Sequence, residues 1–154
     1  MAAKSPAPGD LFADDEAIMR RALQIAQQGR GAVEPNPMVG AVIVDAQRRF
    51  VAEGWHAKFG ADHAEVAAIK AAGLGNTSGH RIFVTLEPCS HQGKTPPCAN
   101  DVIAAEFSEV VIGCQDPAEH VAGQGIARLR TAGLSVVTDV CANEARQLVA
   151  PFTM

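Results

Sequence analysis

The sequence predicts a three-layer α/β/α domain built on a five-stranded mixed sheet. Three observations predict it. Helical and strand patterns alternate along most of the chain. The runs that read as strands are short and almost continuously apolar, as buried strands are. The later strands are each separated by a helix, the connection that parallel neighbours require. With 154 residues, 47% of them hydrophobic, the chain has material for one sizeable core.

Each element has a local reason. Residues 1–13 carry Lys4, Pro6, Pro8, Gly9 and Asp10 without an apolar stretch, and are expected to be a disordered lead into a domain spanning 14–152. From Asp14 to Gln28, Ile18, Ala22, Ile25 and Ala26 fall on one helical face, with Asp14 or Asp15 as the cap and Gly29 as the stop. Pro35 and Pro37 prevent that helix from continuing. Val39 to Val44 reads as a buried strand, and Arg49 to Trp55 follows after a short turn, so the two are expected to pair as a hairpin. A helix begins at His63 and ends at Gly73. Arg81 to Thr85 is the next strand, then a helix starts near Pro97, a residue suited to the first helical turn. Glu109 to Gly113 is a strand, Ile126 to Ala132 a helix, Leu134 to Thr138 a last strand and Ala142 to Ala150 a closing helix. The expected order puts the 39–55 hairpin at one edge, with the strands at 81, 109 and 134 parallel beside it.

Composition narrows the function classes. A net charge of −4 gives no basic footprint for a polyanion, and six Phe, one Trp and no Tyr leave little for a base-stacking platform, so nucleic acid is not the expected partner. Nothing approaches the length of a membrane span, and no membrane association is expected. Cys89, Cys98, Cys114 and Cys141 show no disulfide-framework spacing and no secretory signal precedes them, which points to the cytoplasm, where thiols stay reduced.

The chemistry concentrates in His63-Ala64-Glu65, Pro88-Cys89 and Cys98. One imidazole, two thiols and a spare carboxylate in this order form the pattern of zinc nucleobase deaminases. A catalytic zinc takes three protein ligands and keeps a fourth position open for water. His63, Cys89 and Cys98 supply three, and no further Cys or His lies at an obvious spacing to close the site. Zinc lowers the pKa of a bound water from about 15.7 to about 7, which makes hydroxide available to attack an amidine-like carbon. Glu65 lies two residues after His63 and projects in another direction, as a proton shuttle beside the metal would. Cys89 falls at a strand end, where ligands of open α/β sheets gather. His63 and Cys98 each open a helix, where backbone N–H groups favour anionic ligands.

With these residues, the chain resembles the deaminase domain of the bifunctional riboflavin-biosynthesis deaminase/reductase, a member of the cytidine-deaminase-like superfamily. The resemblance runs from about Asp15 to Phe152. It is carried by Asn36-Pro37-Met38-Val39-Gly40, Gly54-Trp55-His56, His63-Ala64-Glu65, the run from Thr85 to Cys98, Asp116-Pro117 and Val121 to Gly125. The long Cys89–Cys98 gap is its most specific part, since related cytidine, deoxycytidylate and transfer-RNA adenosine deaminases usually bring their two cysteines much closer together in sequence.

The resemblance implies hydrolytic removal of an exocyclic amine from a diaminohydroxy-(phosphoribosylamino)pyrimidine, with release of ammonia. It implies zinc on His63, Cys89 and Cys98, with Glu65 as proton donor and acceptor. It places Asn36, His56, Ala64, His91, Lys94, Thr95 and Asp116 where the family contacts its nucleotide. Lys94, the one cation between the two cysteines, suits the phosphate as a point charge, and Asn36 offers both donor and acceptor. The family forms homo-oligomers, and its reductase activity is expected on a separate chain or in a C-terminal domain absent from this sequence. Ala118 stands where the family usually has Asn, and Gln124 where Arg is common, so two polar groups expected near the substrate are missing.

Plainer readings of single residues stand beside these. His56 could simply close a strand end, His91 and Lys94 could be solvated, and Asn36 and Asp116 are ordinary turn formers beside prolines. His80 and His120 read as surface residues, and Cys114 and Cys141 as apolar fillers. Glu87 reads as a structural partner. Two further functions fit the motif, a deaminase of the same fold with another substrate and a non-catalytic zinc-binding scaffold. A scaffold has no use for Glu65.

Overall fold

Helix α1 (Asp15–Ala26) shows how closely local sequence sets this fold. Its cap is Asp14, extended in backbone, whose carboxylate accepts the Ala17 N–H at 2.8 Å. Its apolar face, from Ile18 to Ala26, is buried, and the chain then tightens into a 3₁₀ turn over Gln27–Gly29 instead of extending to Gln28 as a regular helix. The structure is a computed structural model describing residues 5–34, 36–73, 75–89, 98–117 and 122–149.

The sheet has five strands in the order β2-β1-β3-β4-β5. β1 (Gly40–Val44) and β2 (Phe50–Trp55) form the expected antiparallel hairpin, with an irregularity between Ile43 and Val44. β3 (Arg81–Leu86) runs antiparallel to β1 and parallel to β4 (Glu109–Cys114), which is parallel to β5 (Ser135–Val137). Between them lie α2 (Ala64–Ala72), α3 (Cys98–Ala104) and α4 (Gln124–Thr131), and α5 (Ala142–Val149) closes the described chain. Ala150 lies outside the described residues.

Alternation along the central strands divides the core in two. Val42, Val44, Phe83 and Val111 pack with α1 and α5. Ala41, Ile43, Ile82, Val84, Val110 and Ile112 pack with α2, α3 and α4 on the other face. Two glycines set how closely the helices approach. A Cβ at Gly40 would lie 2.0 Å from the Ala22 carbonyl oxygen, and one at Gly54 would lie 2.4 Å from the Ala68 nitrogen. No side chain fits at either crossing, so α1 and α2 sit directly on the hairpin.

Three differences from the sequence expectation have physical causes. Residues 5–13 do not trail free. Gly9 donates to the Phe50 carbonyl at 2.8 Å, Phe50 returns a bond to the Asp10 carbonyl at 2.8 Å, and Phe12 packs on the core. β5 is shorter than Leu134 to Thr138 because only Ser135–Val137 finds partners on β4. α4 begins at Gln124, two residues before Ile126, although its N-cap Gly123 offers no side-chain cap. A carboxylate from the end of β3 supplies the missing acceptor. No helix among the described residues is long and apolar enough to cross a membrane.

One ion-pair network ties separate elements together. Arg81 on β3 bonds Asp15 at 2.8 Å and Glu109 at 2.7 Å, and Arg48 of the hairpin turn also reaches Asp15 at 2.8 Å. The Arg81 guanidinium lies 4.9 Å from the centroid of the Phe83 ring. Its hydrogen bond to Asp15, helped by Arg48 and opposed by partial burial, holds the Asp15 carboxyl below its ordinary range. A carboxylate with a depressed folded-state pKa stabilises fully above its unfolded pKa and loses that contribution as pH falls through the folded value. Asp15→Asn is therefore expected to lower stability at neutral pH and to flatten the acid limb of stability below about pH 4. Denaturant unfolding across pH 2–7 checks this, and parallel curves for the two proteins would contradict it.

Candidate active site

The site assembles where two helices start and one strand ends. His63 is the N-cap of α2, with φ −69° and ψ 164°, and its imidazole is left free of the helix. Cys89 follows the end of β3, and Cys98 is the first residue of α3. The Cys98 N–H donates to the Cys89 sulfur at 3.1 Å and the Ala99 N–H to the Cys89 carbonyl at 3.0 Å, so the strand end and the helix start are joined.

Among the described residues, His63, Cys89 and Cys98 form the cluster able to hold a metal, their donor atoms all within 4.8 Å of one another. His63 Nδ1 lies 2.8 Å from Cys98 Sγ and 4.0 Å from Cys89 Sγ. Nitrogen and sulfur on a tetrahedral zinc lie about 3.6 Å apart, between these two separations. Hydrogen bonding from Cys98 brings the Cys89 thiol down to about 4, and the same bond, with burial, pushes the Cys98 thiol far up. Hydrogen bonding to Cys89 raises His63, against the effect of burial. A dication at their centre would take both thiolates and a neutral imidazole. Two soft thiolates and one imidazole, with no fourth donor in the cluster among the described residues, suit a catalytic zinc.

Glu65 lies in the first turn of α2 and is only 3% exposed. Burial pushes its carboxyl up to about 7, the range in which a general acid–base group operates. The pocket beside it is lined by Asn36, Pro37, Val39, His56, His63, Glu65, Leu86, Glu87, Cys89 and Asp116. Asn36, His56 and Asp116, expected from sequence, therefore share one pocket with His63 and Cys89, two of the three candidate metal ligands. Ala64 is fully buried and is not among the lining residues. His91, Lys94, Thr95, Ala118 and His120 lie outside the described residues.

His56 is 2% exposed and both of its ring nitrogens are engaged. Nδ1 lies 3.0 Å from the Asp62 carbonyl oxygen, which can only accept, so Nδ1 carries the proton. Nε2 then accepts from the Asn36 amide nitrogen at 3.1 Å, which fixes the orientation of that amide. The ring also meets His63 edge to face, 5.2 Å between centroids. His56 thus connects Asn36 with the turn that delivers the metal-binding imidazole.

Sequence reasoning missed the apolar wall of Pro37, Val39 and Leu86. The signal was present, since all three adjoin residues already singled out. Cys114 is a buried filler with its thiol pushed up to about 11 by burial, and Cys141 is half-buried. His80 is half-buried.

The model of the cytidine and deoxycytidylate deaminase zinc-binding region matches residues 13–114, which include His63, Glu65, Cys89 and Cys98. The chain belongs to this zinc-dependent deaminase family, and zinc is its cofactor. It is 48% identical to riboflavin biosynthesis protein RibD of Escherichia coli over 138 residues, 90% of this chain and 37% of that protein. It is 40% identical over 133 residues to the diaminohydroxyphosphoribosylamino-pyrimidine deaminase of Buchnera aphidicola subsp. Schizaphis graminum, 86% of this chain and 89% of that protein. Acinetobacter baumannii RibD superposes with a TM-score of 0.86 at 41% identity, over 90% of this chain and 38% of that one. The chain thus spans a little over a third of the RibD relatives.

If these three side chains hold the zinc, Cys98→Ala is expected to abolish stoichiometric metal binding, because two ligands rarely retain zinc. Metal analysis of the purified variant checks this, and full occupancy would rule out the ligand set.

Proposed function

We propose that this chain hydrolyses the exocyclic amine of a diaminohydroxy-(phosphoribosylamino)pyrimidine in riboflavin biosynthesis, releasing ammonia and leaving a uracil-type ring. The observation carrying this reading is a buried carboxylate, Glu65, in one pocket with two of three convergent zinc-type ligands. Likeness to the Buchnera deaminase along nearly its whole length supports the choice of substrate.

His63, Cys89 and Cys98 would hold the zinc, which would supply Lewis acidity enough to bring the pKa of water down to about 7. Glu65 takes one proton of the attacking water and passes it to the ring nitrogen. It then carries the second, from the newly added hydroxyl, to the amine, which leaves as ammonia as the C–N bond breaks and the carbonyl forms. Its burial raises the carboxyl, which favours the proton it carries between the two transfers. Asn36, its amide oriented by His56, offers hydrogen bonds to the ring or ribose, and Asp116 stands on the opposite loop. Lys94 reads the phosphate, while His91 and Thr95 complete the contacts from the same segment between the cysteines.

On this reading residues 14–152 are one deaminase domain acting in the cytoplasm as a homo-oligomer. The reduction that follows belongs to another chain or to a further C-terminal domain.

Glu65→Gln keeps the shape of the side chain and removes its titrating group. Turnover is expected to fall at least about 10² to 10⁴-fold with zinc content and folding retained, and near-parental ammonia release with zinc intact would place the proton shuttle elsewhere. Lys94→Ala is expected to raise KM for the phosphorylated pyrimidine far more than for its dephosphorylated form. Steady-state kinetics on both substrates checks this, and equal losses would separate Lys94 from the phosphate.

A further inference from the structure

We infer that Glu87 is a positioning residue, whose carboxylate holds the segment carrying Asp116 at a fixed distance from Cys89. The inference rests on the proposed function for the part played by Asp116. Glu87 lies two residues before Cys89 and is 5% exposed. Its own N–H donates to the Cys114 carbonyl at 2.9 Å, so its backbone belongs to the end of the β3–β4 pair.

The side chain turns across the gap to the β4–α4 connection. Oε1 accepts the Asp116 N–H at 3.1 Å and the Gly123 N–H at 3.0 Å, and Oε2 accepts the Ile126 N–H at 3.0 Å. An ionised carboxylate is the side chain with acceptors on both oxygens and no donor, and here three backbone donors from 29 to 39 residues away converge on it. α4 has no cap of its own, since Gly123 stands there at φ 83°, and Glu87 supplies the acceptor. Contact on the other side is just as close. A Cβ at Gly125 would lie 2.0 Å from the Pro88 carbonyl oxygen and 3.1 Å from Glu87 Cγ.

The consequence concerns distance. Asp116 and Cys89 both line the pocket, but they sit on different strand ends. Glu87 is the link between them, bonded to the Asp116 backbone and covalently two residues from the ligand. A small shift of Asp116 would move a substrate contact without touching the metal.

Glu87→Gln, tested as the zinc-loaded protein, turns one acceptor oxygen into a donor facing a backbone N–H. We expect zinc content to stay at the parental level and kcat/KM for the pyrimidine nucleotide to fall about tenfold or more, mainly through KM. Because Glu87 acts through Asp116, the Glu87→Gln/Asp116→Ala double variant should be no worse than the poorer single variant. Losses that multiply, or a fall confined to kcat, would overturn the inference. Amide hydrogen exchange on the parent protein tests it without a variant. The Asp116, Gly123 and Ile126 amides should exchange slowly, and free exchange at Asp116 and Gly123 would overturn it even if Glu87→Gln does not fold. Should the parent chain release no ammonia from this nucleotide, the substrate reading fails, and the exchange pattern still decides the place of Glu87.

Discussion

Helix α2 reaches the site only because β2 has no side chain where the two cross. At Gly54 the helix backbone comes within bonding range of where a Cβ would stand. Any larger residue would lift α2 from the sheet, and with it His63 and Glu65, which occupy the cap and first turn of that helix. Gly40 plays the same part for α1, which covers the other face. The ligand from α2 can therefore meet the ligands from the end of β3 and the start of α3. Close-packed interiors transmit such shifts instead of absorbing them.

Around that contact the site divides its work by element. The starts of α2 and α3 provide His63, Glu65 and Cys98, and the end of β3 provides Cys89. The loop after α1 brings Asn36, and the loop after β4 brings Asp116. None of these elements could hold the pocket alone. His56 and Glu87 connect them, one through a ring with both nitrogens committed, the other through a carboxylate accepting three amides.

Most of the fold and the centre of the site were legible in the sequence, for definite reasons. The Asp14 cap, the Gly73 stop and the strand patterns at 39–44, 81–85 and 109–113 are local signals, and local signals are what a sequence displays. The cluster of His63, Cys89 and Cys98 was legible because residue type and order carry its chemistry. What escaped was long-range. α4 starts early because Glu87, just past the end of β3, replaces its missing cap. Residues 5–13 are held by backbone bonds to β2 that no composition reveals. The commitment of both His56 nitrogens depends on Asp62 and Asn36 arriving on opposite sides of the ring.

The wide spacing of the three ligands also makes the metal a clasp on the chain. His63 meets Cys89 and Cys98 across 26 and 35 residues of sequence. An ion joining them closes loops that contain all of α2 and β3, so it restricts the unfolded chain as a cross-link does. Binding free energy at such a site is also folding free energy. Metal supply would then bear on the stability of the folded protein as well as on its chemistry, and a chain starved of zinc would be both inactive and easier to unfold.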